Sequence, residues 1–219
     1  KDKKNNNYPI QHRVLIIVIL TIAASIFAIT TPESHKTLSP AILRSSGFLV
    51  FILYCSSIGE KITKAFFFNC DNSLLRYNFY KESSIILSNF KSRLKITIIL
   101  NLIPAICIGL GLSLVLILAK GDIVRFIPIF ISIITLSCFF SIHYLFLYYI
   151  IQPYTSQLTV KSPIYKIASF IVYIAAYSCL QVETQSIWFT LTVILVTVIY
   201  ALIALTLVYK FAPKNFKLK

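Results

Sequence analysis

Six apolar runs, at 13–30, 41–58, 96–119, 125–151, 164–182 and 186–211, take up most of this 219-residue chain. A helix needs roughly 20 apolar residues to cross about 30 Å of hydrocarbon, and every run meets or approaches that length. The second run is the weakest, because Arg44 and Ser45-Ser46 stand near its start; a long arginine stem can carry its charge out to the interface. Charged residues make up 13% of the chain and hydrophobic ones 58%, where a soluble domain carries about 25% charged. A globule of this size cannot hide so much apolar surface, so lipid has to be its solvent. The expected fold is all-α: a polytopic membrane protein of about six transmembrane helices, forming a single transmembrane domain over 1–219.

The net charge of +14 invites a nucleic-acid reading, but the basic residues lie between the apolar runs rather than on one face. They serve as topology signals and headgroup contacts instead. With the N-terminus, 59–95, 152–166 and the C-terminus taken as inside, seventeen Lys and Arg fall there. The opposite side holds only Lys36, Arg44, Lys120 and Arg125. Both termini are therefore expected in the cytoplasm, with the lipid membrane and no nucleic acid among the partners.

Other features narrow the class. Cys55, Cys70, Cys107, Cys138 and Cys179 form no CxxC pair and read as small hydrophobes, with no metal site. The chain starts at Lys1 and has no Met, so it is expected to be part of a longer polypeptide. The first run reads as a retained helix, since Thr30-Thr31-Pro32-Glu33 makes a poor signal cleavage site. No repeat relates the first three spans to the last three, which argues against an inverted-repeat transporter.

The 59–95 segment breaks the pattern. Asp71 is placed to cap a short helix with Leu75 and Phe79 on one face. An amphipathic stretch follows, with Ile86, Leu87, Phe90 and Leu94 set against Ser84, Asn89, Lys91, Arg93 and Lys95. Pattern alone leaves two readings open: an interfacial anchor on lipid headgroups, or a docking element for a cytoplasmic protein.

The run Asn69-Cys70-Asp71-Asn72-Ser73-Leu74-Leu75-Arg76-Tyr77-Asn78-Phe79-Tyr80, followed by Phe90-Lys91-Ser92-Arg93-Leu94-Lys95, resembles the cytoplasmic segment of bacterial type-2 ABC exporter permeases. His143-Tyr144, Tyr148-Tyr149 and Gln152-Pro153-Tyr154 are similar to runs in the same group. The resemblance implies six spans per permease unit, termini inside, and a coupling helix between spans two and three. It implies that Asp71, Leu74, Leu75, Arg76, Tyr77, Phe79 and Tyr80 dock into an ABC ATP-binding subunit, which carries ATP and Mg. It also implies a second permease unit, as a homodimer, heterodimer or fused half, in the plasma membrane of a bacterium. This chain's five glycines make no phosphate-binding loop, so no cofactor is expected on it.

Polar residues inside the runs remain. Tyr165, Ser169, Tyr173, Tyr177 and Gln181 recur every four residues along span five, reading either as helix packing or as the wall of a substrate path. Asn101, Pro104, Gly109 and Gly111 in span three read as a packed kink or a hinge. His143 in span four reads as a neutral, hydrogen-bonded imidazole or a proton relay. Asn101 and His143 join the span-five stripe as candidate path residues. All seven acids, Asp2, Glu33, Glu60, Asp71, Glu82, Asp122 and Glu183, lie at or outside span ends. That placement argues against a membrane enzyme and against ion-coupled transport. The expected function is the permease component of an ATP-driven exporter for an amphipathic or apolar substrate; the alternative is a non-transporting membrane immunity or scaffold protein.

Overall fold

The computed structural model describes residues 9–31, 34–44, 46–77, 80, 82–154, 162–181 and 186–216. Every element among them is helical: α1 (Pro9–Thr30), α2 (Ser34–Arg44), α3 (Ser46–Ser56), α4 (Gly59–Phe66), a π-helical turn (Phe67–Asp71), α5 (Asn72–Leu74), α6 (Ser83–Leu118), α7 (Ile123–Ile151), α8 (Pro163–Ser178) with a 3₁₀ turn at Cys179–Gln181, and α9 (Ser186–Asn215). Five helices are long and apolar enough to span a bilayer, and a bent pair raises the number to as many as six. Leu15, Ile19, Leu20, Trp188, Leu195 and Leu202 are all more than half exposed, a surface stable only against lipid. The chain is a polytopic α-helical membrane protein.

The second expected span, 41–58, is not one straight helix. The segments Leu38–Arg44 and Gly47–Leu74 diverge by 79°. Helix α3 has 11 residues, about 16 Å at 1.5 Å per residue, too short to cross alone. The third expected span also differs. The amphipathic stretch and the span after it are one 36-residue helix, α6, because no Gly or Pro lies between 83 and 103 to stop it.

Helix α7 is the central post, packed between α6 and α9, with α1 lying on α6 and α3 on α7. Its start is capped by Asp122, whose side chain accepts from the Val124 amide at 3.0 Å. Polar groups then pin it to its neighbours: Ser132 Oγ meets Thr190 Oγ1 at 2.7 Å and His143 Nδ1 meets the Tyr200 hydroxyl at 2.8 Å.

The outward stripe of α6 shows where the bilayer ends. Exposed Ser84, Ser88, Lys91 and Lys95 give way to exposed Ile96, Ile99, Ile103, Ile106 and Leu110. On α9 the change falls where exposed Leu202 and Ile203 are succeeded by Tyr209, Lys210 and Lys214. At 1.5 Å per residue α6 is about 54 Å long, well beyond the roughly 30 Å of hydrocarbon. Beyond the boundary lies a second core, built by Phe67, Leu75, Tyr80, Ile86, Phe90, Tyr154 and Phe216. This extramembrane cap comprises α4, the π turn, α5 and the first turns of α6, closed by the ends of α7 and α9.

Candidate functional site

The centre of the cap is Asp71, whose side chain is fully buried. A π turn inserts one extra residue into a helical path and re-aims the side chains after it; here the turn that ends at Asp71 aims the carboxylate inward. Oδ1 accepts from the Tyr80 hydroxyl at 2.8 Å and from Arg93 Nη2 at 2.5 Å. Oδ2 accepts from Arg93 Nη1 and from the Tyr148 hydroxyl. Arg93 Nη2 also donates to the Tyr80 oxygen at 2.9 Å, and its guanidinium lies over the rings of Phe66 and Tyr149, 5.2 and 5.9 Å from their centroids. A two-pronged guanidinium–carboxylate pair fixes orientation as well as charge.

The capping role expected of Asp71 is not what forms. It sits in helical conformation, φ −75° and ψ −28°, with no side-chain cap hydrogen bond. The chain stays helical from α4 through the π turn into α5, so no run of free N–H groups is left there. The Arg93 guanidinium and two phenols supply stronger donors. Burial first, and then the adjacent Asp71 charge, push the Tyr80 phenol well above its ordinary value, which keeps it a donor.

Aromatic rings surround the pair. Tyr149 stacks on Phe216 at 4.7 Å, Phe90 meets Tyr149 edge-on at 5.3 Å, and Tyr154 lies 5.6 Å from Phe67. The Tyr154 hydroxyl also meets Thr63 Oγ1 at 2.9 Å, tying α4 to the end of α7. Gln152, in left-handed conformation at φ 42°, ends α7 with its buried carboxamide unpartnered among the described residues.

The expected coupling residues therefore divide. Asp71, Leu75 and Tyr80 belong to the cap's interior, Leu74 is half-buried, and Arg76 and Tyr77 are exposed, Tyr77 by 58%. Phe79 lies outside the described residues. The candidate path residues engage different helix pairs. Tyr173 and Tyr177 stack on each other at 6.3 Å and lean on Phe51 of α3. Tyr165 is buried, Ser169 half-buried and Gln181 exposed. His143 is taken by Tyr200 and stacks on Phe139. Asn101 Oδ1 accepts from the Ile58 amide at 2.9 Å, and its Nδ2 donates to Ser141 Oγ at 2.8 Å.

Arg93 and Tyr148 are central residues that stand in the resembling runs but were not among the expected site residues. One signal for Arg93 was present: Asp71 is the sole acid between Lys61 and Lys81, and a lone carboxylate in a basic segment asks for a partner. No family model, curated protein or solved structure matches the chain.

Proposed function

We propose that the chain is the membrane permease component of an ATP-driven, ABC-type exporter, with its cap in the cytosol and Arg76 and Tyr77 as the contact to a separate ATP-binding subunit. The observation that carries this reading is the buried Asp71–Arg93–Tyr148 linkage. Arg76 and Tyr77 stand five and six residues beyond Asp71, and that anchor grips two long spans, α6 and α7. A push on the exposed turn would reach both spans through that anchor. The basic residues around the cap support a cytosolic position, and a second permease unit would complete a path for an amphipathic or apolar substrate. ATP and Mg would belong to the partner subunit, and the assembly to a bacterial plasma membrane.

One observation favours the scaffold or immunity reading instead: Asn101, Ser132 and His143 are each spent on a neighbouring helix. One experiment separates the two. The intact full-length protein is purified with candidate ATP-binding subunits, as wild type and as Arg76→Glu with Tyr77→Ala. Loss of complex affinity by more than about tenfold in the double variant, or about 1.4 kcal/mol, is the expected result. Retention of no ATP-binding subunit by the wild type, or equal retention by the variant, removes the exporter reading.

A further inference from the structure

A break in the chain, a buried proline and a serine back-bond lie close together, just inside the membrane boundary. The path from α3 to α4 breaks at Ser57-Ile58, where Ile58 has φ −103° and ψ 8°. In α6, Pro104 lies buried one turn past Asn101, and a proline leaves the carbonyl four residues earlier without its helical donor. In α7, Ser141 Oγ donates back to the Ser137 carbonyl at 2.8 Å, a bond that loosens and bends helices. Asn101 links all three through Ile58 and Ser141. The next residue, Gly59, touches the same post: a Cβ there would lie 2.8 Å from Tyr144 Cβ and Cγ.

Beside this clip runs a narrow crevice lined by Leu53, Ser56, Ser57, Asn101, Ser137 and Phe140. Ser137 borders it, and its buried hydroxyl has no hydrogen-bond partner among the described residues. If Asn101 leaves Ser141, Ser137 offers the same chemistry one helical turn away, about 6 Å along α7.

We infer that this level is a hinge on which the cap tilts, and that Asn101 is its two-position catch, on Ser141 in the conformation described here and on Ser137 in the other. The catch has two positions, since a carboxamide held between the two serines would leave buried polar groups unpaired. The inference rests on the exporter reading only for what drives the tilt. Asn101 acts through the hinge, as a positioning residue.

Spin labels on ketone-bearing amino acids, which leave the native cysteines untouched, are placed at exposed Ser84 in the cap and, in turn, at exposed Val124 and Ile174 in the bundle. Distances are then measured in lipid nanodiscs without any partner. The wild type is expected to give two populations, Ser137→Ala one, and Ser137→Thr two again, because the hydroxyl returns. A single wild-type population, or two that persist in Ser137→Ala, overturns the hinge whatever subunit binds. Failure of every ATP-binding subunit to bind leaves these distances, and the hinge, standing.

Discussion

Removing either member of the Asp71–Arg93 pair leaves the other charge buried beside aromatic rings. Loss of one partner of a buried pair costs about 3–5 kcal/mol, whereas replacing both by apolar groups of similar volume is often neutral. Arg93→Ala and Asp71→Ala should therefore each destabilise the protein strongly, and Asp71→Leu with Arg93→Met should recover part of the loss, the Tyr80 and Tyr148 hydroxyls still losing their acceptor. Denaturation in detergent micelles reads this cycle, and a double variant no better than the single ones would show that the pair's charge is not the issue. The same residues show why sequence reasoning went only part of the way. An aspartate before Asn72-Ser73 carries a local capping signal, and local signals were all that could be read. Its actual partner stands 22 positions away, brought close by a π turn that no residue type announces.

Helix α6 was legible in parts but not in continuity. Its apolar run and its amphipathic lead-in were both visible; what joins them into one long rod is only the lack of a Gly or Pro between 83 and 103. The second span shows the converse case, since Arg44 and Ser45-Ser46 marked it as weak and the segments Leu38–Arg44 and Gly47–Leu74 diverge by 79°. The switch from exposed Lys95 to exposed Ile96 divides α6 between water and lipid, and that division is testable. Leu110 is 58% exposed near the middle of the lipid-facing stretch, so Leu110→Arg should cost about 3 kcal/mol of insertion or stability. Ser88→Arg, on the watery side of the same stripe, should change stability by less than about 0.5 kcal/mol. Equal effects at the two positions would move the boundary.

For the whole molecule, composition alone settled that lipid is the solvent, because no soluble surface can be assembled from 13% charged residues in a chain of this length. The cap was harder to foresee: its core draws on α4, α6, α7 and α9 together, and no single window of sequence contains it. Its position gives the protein a basic end that stands clear of the bilayer, with the hinge level just beneath. Everything proposed about coupling depends on that end facing the cytosol. A cysteine at Ser88, in a variant whose native cysteines are replaced, reports its side directly through a thiol reagent that cannot cross membranes. The expected result is no labelling in intact cells and full labelling once the membrane is permeabilised; labelling in intact cells would contradict the orientation and the docking role together.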